Sequence, residues 1–165
     1  MRRIFFILTL AFIVCGVQGL HAQISGLAIG PKAGVYLSAG KIMIGAIGEI
    51  PITRDIDFEP GVEMVLGIPS TTLIAIDGNI RYSFTLPGET IRPFALGGLA
   101  VQLQTYDVGI TSTGATSKTN TGFRLNLGGG VVFNSRSLIQ YWTGLKIYFL
   151  EGNDVVLQGG VLFYL

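Results

Sequence analysis

Eight stretches of the sequence alternate between apolar and polar residues, and this period of two constrains the fold more than any other feature. Side chains on a β-strand point to opposite faces in turn, so each stretch predicts a strand with one apolar face. Segments rich in Gly, Pro, Ser and Asn separate most of the stretches, as turns do. The stretches span residues 29–38, 41–52, 57–68, 73–86, 91–105, 122–133, 138–150 and 158–165.

The low content of charged residues indicates the class of all-β fold. Charged residues make up 13% of the chain, against roughly 25% in a soluble globular domain. No run of 18 consecutive apolar residues follows the first 22 residues, so a bundle of membrane-spanning helices is not predicted. Strands of about ten residues cross the hydrocarbon layer when they tilt. We therefore predict an all-β fold, an antiparallel, up-and-down transmembrane β-barrel of eight strands.

The first 22 residues predict a signal peptide that is cleaved. Arg2 and Arg3 precede an apolar run of about a dozen residues, which ends among small residues before Gln23. The run is too short to span a bilayer comfortably as a helix, for which about 20 residues are needed. Residues 23–165 would then form the exported barrel domain. Cys15 leaves open a lipid-modified N-terminus, although Val14 is not the small residue that this processing prefers.

Cleavage would leave a chain with little catalytic chemistry. The single Cys and the single His, Cys15 and His21, both lie in the predicted signal peptide. Without Arg2 and Arg3, nine of the 11 basic residues remain against 10 acidic ones, which argues against nucleic acid as a partner. A histidine base is missing, and no metal-ligand or nucleotide motif occurs. The sequence therefore predicts a protein that is not an enzyme and has no metal or cofactor.

The last eight residues resemble the C-terminal signal that bacterial outer-membrane β-barrels present to their assembly machinery. A polar residue, a glycine, an aromatic residue and a final hydrophobic residue occupy the matching places. These places are held by Gln158, Gly160, Phe163 and Leu165. The usual final aromatic residue is replaced by Leu165, with Tyr164 beside it. The resemblance implies two partners, the barrel assembly machinery and the lipids of the outer membrane.

Residues 27–165 as a whole resemble the family of small eight-stranded outer-membrane barrels that includes outer membrane protein A, in its barrel domain, and outer membrane protein X. The resemblance implies a monomer in the outer membrane of a Gram-negative bacterium, with both chain ends on the periplasmic side. The longest external link, residues 106–121, begins at Tyr106 and ends at Thr121. Its composition predicts a flexible or hairpin-extended tip, and a neutral, solvated link is the favoured interpretation. The alternative is that an external ligand binds there, because loops on a rigid scaffold carry binding.

Charged residues on the polar faces would meet inside the barrel. A charge in a low-dielectric interior must be paired and hydrogen-bonded, so we expect an ion-pair network that fills the lumen. Glu59 and Glu63 share one face and are expected to pair with Arg81 or Arg92. A narrow, gated ion path is the alternative to this polar plug. The predicted members of the network are Lys32, Glu49, Glu59, Glu63, Asp77, Arg81, Arg92, Arg124 and Lys146.

The main competing fold is a soluble, secreted ligand-binding barrel, or calyx, whose apolar face points inward. Periodicity alone does not say which face is inside. Three features favour the membrane barrel: glycines on the polar face, an apolar face almost free of charge, and aromatic residues near the strand ends. The function predicted from the sequence is a structural or surface-interaction role in the outer membrane.

Overall fold

The computed structural model describes residues 26–69, 71–84, 86, 90–111, 114–150 and 153–165, with the backbone alone for 107–111 and 114–117. The predicted signal peptide, residues 1–22, lies outside the described residues, as does the predicted turn at Pro87 and Gly88.

Eight antiparallel strands form a closed barrel in which each strand pairs with its neighbours in sequence. They are β1 (Ala28–Tyr36), β2 (Lys41–Pro51), β3 (Ile56–Val65), β4 (Thr71–Ser83), β5 (Arg92–Thr111), β6 (Gly114–Phe133), β7 (Ile139–Phe149) and β8 (Asp154–Tyr164). Pairing of β8 with β1 closes the barrel, with Ala28 opposite Tyr164 and Tyr36 opposite Val156. The predicted all-β architecture of eight up-and-down strands is confirmed.

The two ends of the barrel differ. The start of β1 and the end of β8 share one end with the links after β2, β4 and β6, and we call it the terminal end. The links after β1, β3, β5 and β7 lie at the opposite end, which we call the hairpin end because β5 and β6 are longest there. This arrangement is the one expected when the links of an up-and-down barrel alternate between its ends.

The apolar face of the sheet points outward and the polar face lines the lumen. Leu99 and Ile29 on the outer face are 60% and 56% exposed, whereas Arg81 and Lys146 in the lumen are 0% and 1% exposed. The same alternation runs along every strand whose side chains are described. A soluble calyx requires the opposite arrangement, with its apolar face inside. That alternative is therefore wrong for this chain.

The external link predicted at residues 106–121 is mostly strand in the described residues, which agrees with the hairpin-extended tip and not with the flexible loop. β5 continues to Thr111 and β6 begins at Gly114, and the two pair across the hairpin with a register shift between Asp107 and Ile110. The sequence of residues 106–121 has no sustained alternation of apolar and polar residues, so periodicity gave no sign of these strands. Its many threonines favour extended backbone.

The strand ends differ from the predicted ones where a neighbouring strand extends or stops the pairing. β4 begins at Thr71 because Thr71 and Thr72 pair with the extended part of β5. β8 begins at Asp154, well before the predicted residue 158, because its first residues pair with the end of β7. β3 ends at Val65 and β4 at Ser83, both earlier than predicted.

Apolar side chains inside the barrel form two layers. The terminal apolar layer consists of Ala28, Ile47, Phe94, Leu96, Val132, Trp142 and Leu162. The hairpin apolar layer consists of Tyr36, Met43, Val65, Leu73, Ala100, Tyr148 and Val156. On β1, Lys32 lies between Ala28 of the first layer and Tyr36 of the second. The charged groups at the middle of the lumen are therefore bounded by apolar packing towards both ends.

Candidate functional site

Four charged side chains from four strands meet at the middle of the lumen. Lys32 Nζ lies 2.9 Å from Glu63 Oε2 and 3.0 Å from Asp77 Oδ2. Lys146 Nζ lies 2.8 Å from the same Asp77 oxygen and 3.8 Å from Glu63 Oε2. All four side chains are at most 2% exposed. Two lysines and two carboxylates balance in formal charge, which is the condition for burying them without a large penalty.

Two tyrosines complete this central cluster. The Tyr36 hydroxyl donates a hydrogen bond of 2.6 Å to Glu63 Oε1, and the Tyr148 hydroxyl donates to Glu63 Oε1 at 3.0 Å and to Asp77 Oδ1 at 3.1 Å. Their rings are parallel, with centroids 6.2 Å apart. Lys146 Nζ is also 5.0 Å from the Tyr148 ring centroid. Sequence reasoning missed both tyrosines as members, although each alternates in phase with a predicted lysine on its strand.

Glycines on the inner face make room for the central cluster. Gly45 lies opposite both Lys32 and Glu63 in the strand register, and Gly61 lies opposite Asp77. A Cβ atom at Gly61 would lie 3.1 Å from Lys32 Nζ and 3.5 Å from Asp77 Oδ2. Any side chain at this position would therefore crowd the ion pair between Lys32 and Asp77.

A second cluster lies nearer the terminal end and centres on Arg81. Its guanidinium donates to Glu49 and contacts Glu59 Oε2 at 3.4 Å, and Asn79 donates to Glu59 Oε1 at 3.2 Å. The Tyr164 hydroxyl donates to Glu49. Arg81 also stacks on the Phe94 ring, with its Cζ atom 3.8 Å from the ring centroid. A guanidinium group is charged, planar and weakly hydrated, so it is able to bond to carboxylates at its edge and stack on an aromatic ring with its face.

The other predicted lumen residues lie towards the two ends of the barrel. At the hairpin end, Arg124 Nη2 lies 2.9 Å from Asp154 Oδ2, and the Ser38 hydroxyl donates to the same carboxylate. Asp154 was not among the predicted members. At the terminal end, Arg92 is close enough to Asp57 and Tyr164 to interact with them electrostatically.

The structure separates the two glutamates that share a face of β3. Glu59 contacts Arg81, one of its two expected partners, whereas Glu63 contacts Lys32 and the two tyrosines. Neither carboxylate of the central cluster is held as an isolated acid or base, because each accepts from at least one ammonium group and one hydroxyl group. Among the described residues, no group of three or more His, Cys, Asp or Glu side chains is placed to hold a metal ion.

The residues of the predicted assembly signal lie on both faces of β8. Gln158 is buried in the lumen, and Gly160 leaves space for the Trp142 indole, whose Nε1 atom would lie 2.9 Å from an added Cβ. Phe163 is 44% exposed on the outer face, and Leu165 follows it on the same face at 77% exposure. The two hydrophobic positions of the signal are therefore presented outward, and the polar and small positions point inward.

A closed eight-stranded sheet with charges inside and apolar side chains outside is the architecture of small membrane β-barrels. The N-terminal β-barrel domain of Pseudomonas aeruginosa OprF has this architecture and a TM-score of 0.70 against this chain, at 19% sequence identity. The similarity covers 86% of this chain and 98% of that domain. Within the described residues, no helix is long and apolar enough to span a membrane.

Two further solved structures are similar. Neisserial surface protein A has a TM-score of 0.65 at 16% identity, covering 84% of this chain and 95% of that chain. Ail, the attachment invasion locus protein of Yersinia pestis, has a TM-score of 0.58 at 12% identity, again covering 84% and 95%. No protein-family model and no curated protein matches the chain. The predicted likeness to small eight-stranded outer-membrane barrels is confirmed as a likeness of fold.

Removing one charge from the central cluster should destabilise the barrel. We expect Lys146→Met to lower the free energy of unfolding by about 3–5 kcal/mol, because it leaves the two buried carboxylates, Glu63 and Asp77, with Lys32 as their one ammonium partner and an uncompensated negative charge. Lys41→Met is the matched control: among the described residues, Lys41 donates only to the Gly67 carbonyl at an exposed site, and its loss should cost less than about 1.5 kcal/mol. Urea unfolding in lipid vesicles, followed by the fluorescence of the single tryptophan, Trp142, measures both.

The variant Lys146→Met/Asp77→Leu separates charge balance from packing. It retains the pair of Lys32 and Glu63, which is 2.9 Å apart, and removes both members of the other pair. Recovery of most of the lost stability is expected, because an apolar replacement of a buried ion pair is often neutral. Equal losses in Lys146→Met and Lys41→Met would contradict the assignment of a stabilising role to the cluster.

Proposed function

We propose that this chain is an integral outer-membrane β-barrel protein with a surface-interaction role that is carried by its β5–β6 hairpin. The outward apolar face and the likeness of fold to outer-membrane barrels support the membrane assignment. We place the terminal end in the periplasm and the hairpin end outside the cell. We propose a non-enzymatic role, which is supported by the lack, in residues 23–165, of a histidine that could act as the usual general base.

The projection of the hairpin beyond its neighbours supports the interaction role. On one side, the pairing of β4 with β5 ends at Thr71 and Tyr106. On the other side, the pairing of β6 with β7 ends at Leu125 and Phe149. Within the described part of the chain, residues 114–124 of β6 therefore have a sheet partner on one side only. We call this stretch the free edge of β6.

A free edge offers a row of backbone donors and acceptors to another chain. From Lys118 to Gly122 its described residues are small or polar. The edge is therefore compatible with water, and no large side chain blocks the approach of another strand to its backbone. Lys118 is the one charged side chain among residues 118–123 of this edge, and a single lysine discourages indiscriminate edge pairing. We infer that the partner is an extended segment of another protein outside the cell.

The same placement defines the other partners. Outer-membrane lipids contact the outward face, and the barrel assembly machinery recognises β8 through its outward hydrophobic residues, Phe163 and Leu165. The barrel is proposed to be a monomer, because pairing of β8 with β1 leaves no open edge in the membrane-spanning part of the sheet.

A shortened hairpin tests the interaction role. Replacing residues 108–116 by Asn-Gly joins Asp107 to Ser117, which are register partners, through the turn that two-residue hairpins prefer. The barrel should assemble normally, while adhesion of the expressing cells to host cells or matrix proteins should fall towards the level of cells without the protein. Ala39→Asp in the link after β1 is the matched external control. Unchanged adhesion of cells carrying the shortened hairpin would contradict the proposal.

One observation favours a second function, a narrow ion path. Several buried polar atoms in the lumen bond to no other group among the described residues, including atoms of Asn126, Gln158 and Trp142. Buried polar groups of this kind are usually satisfied by internal water, and a hydrated lumen is the first requirement of an ion path. The two apolar layers and the paired charges oppose it, and we favour the plug.

Planar-bilayer recordings decide between the plug and the ion path. With the purified barrel, we expect no steady single-channel current, because side chains fill the interior of an eight-stranded barrel. A wide bacterial porin reconstituted in parallel provides the positive control. Reproducible single-channel steps from the pure protein would establish the ion path instead.

A further inference from the structure

A polar cavity of about 430 Å³ lies where the hairpin leaves the barrel. We call it the vestibule. It is lined by Gln102, Gln104, Thr119, Asn120, Thr121 and Gly122. Its volume falls within the range of about 300–1,000 Å³ that small-molecule sites occupy. All of its lining residues come from β5 and β6, so the vestibule belongs to the hairpin and not to the ion-pair network of the lumen.

The strand register explains why there is space at this position. Gln102 lies opposite Gly122, which has no side chain, and Gln104 lies opposite Asn120. Residues two apart on a strand share a face, so Gln102 and Gln104 face the same way as the buried Ala100. The amide groups of the vestibule are therefore directed to the mouth of the barrel.

The residues that line the vestibule are uncharged, and all of them except Gly122 have side chains that are able to donate and accept hydrogen bonds. A glutamine or asparagine amide offers two donor hydrogens and an acceptor oxygen, and a threonine hydroxyl offers both functions. Thr119 shares a hydrogen bond of 3.0 Å with Thr105. Within the described part of the chain, no hydrogen bond to another protein group uses the amides of Gln102, Gln104 or Asn120. Their bonding capacity is open to a ligand.

The chemistry of the lining excludes two classes of ligand. An apolar ligand would cover the amides without bonding to them, at the full desolvation penalty of each group. An anion would require a cationic partner in the lining, and the lining has none. Of the two cations nearest to it on β6, Arg124 is bound to Asp154 at 2.9 Å, and Lys118 lies outside the lining. A ligand that carries many hydroxyl groups satisfies the amides without any charge, because each hydroxyl both donates and accepts.

We propose that the vestibule binds a neutral saccharide, through the side-chain amides of Gln102, Gln104 and Asn120. This inference adds a second kind of ligand to the proposed pairing of the free edge with another protein, and it rests on the external position of the hairpin for its biological meaning. The saccharide comes from lipopolysaccharide on the same cell or from a glycan of another organism. Both sources present the same pattern of adjacent hydroxyl groups.

The test uses the full barrel in lipid nanodiscs, with ¹⁵N labels on its side-chain amides. The probes are lactose, maltotriose and a dephosphorylated core oligosaccharide from lipopolysaccharide. Saturable shifts of the Gln102 and Gln104 amide signals are expected with one of these probes. The probe that binds best identifies the source, because lactose and maltotriose represent foreign glycans and the core oligosaccharide represents the cell's own surface.

Two variants and a control make the test specific. Gln102→Leu/Gln104→Leu should weaken binding about ten-fold or more, the loss expected when two neutral hydrogen bonds are removed. Gly122→Gln should abolish binding by filling the cavity while it keeps the lining polar. Gln140→Leu makes the same substitution at the terminal end, where Gln140 donates to the Ser135 and Ser137 carbonyls, and should leave binding unchanged.

Two results would overturn the inference: no saturable shift with any of the probes, or binding of equal strength in the wild type and in both vestibule variants. Heat-modifiable migration in detergent gels confirms in each case that the barrel has assembled. A barrel that assembles and supports adhesion but binds no saccharide retains the proposed function and loses only this inference. If the barrel binds a saccharide but the shortened hairpin leaves adhesion unchanged, the saccharide inference is retained and the proposed adhesion role is lost.

Discussion

The closure of the sheet between β1 and β8 is the constraint on which the rest of the structure depends. In hydrocarbon, a backbone donor or acceptor has no water to bond, so a sheet is stable there only without edges. Pairing of Ala28 with Tyr164 and of Tyr36 with Val156 removes the last edge. The hydrogen-bond ladder between β1 and β8 is interrupted only near Pro31, because proline has no N–H group to donate.

Closure with eight strands also decides what the lumen contains. The interior is only wide enough for side chains, so the polar faces of all eight strands are brought together. Lysines on β1 and β7 then meet carboxylates on β3 and β4 at distances of 2.8–3.0 Å. Glycine at positions such as Gly61 admits these long side chains where a larger residue would collide with them. The balance of charges in the lumen and the glycines on the inner face are therefore both consequences of the narrow interior of the barrel.

Beyond the membrane the same constraint no longer applies. In the proposed orientation, the hairpin of β5 and β6 lies in water, where backbone groups bond to solvent, and its edge at residues 114–124 can remain without a second sheet partner among the described residues. The polar vestibule at its base has the same origin, because Gln102 and Asn120 need no apolar partner there. The parts of the chain that are free to bind other molecules are therefore those outside the lipid.

Much of the fold could be predicted from the sequence, since alternate burial leaves a period-two pattern wherever one face meets lipid. Leu99 and Lys146 follow that pattern. The length of the hairpin could not be predicted from periodicity, because residues 106–121 have no sustained alternation of apolar and polar residues. The ion-pair partners within the lumen could not be predicted from the sequence either. Glu63 pairs with Lys32 and not with an arginine, because the choice of partner depends on strand register and strand tilt. The alternation places Tyr36 and Tyr148 on the polar faces of their strands, but it does not predict that their hydroxyl groups bond to Glu63.

Spin labels on β7 measure directly which face of the strands meets lipid and which face lines the lumen. Single cysteines are introduced in a Cys15→Ser background and labelled in lipid vesicles. Labels at Tyr141 and Leu145 should be accessible to oxygen dissolved in the bilayer, whereas labels at Gln140 and Trp142 should be shielded from it. Shielded labels at Tyr141 and Leu145, with oxygen access at the other two positions, would contradict a barrel with its apolar face towards lipid.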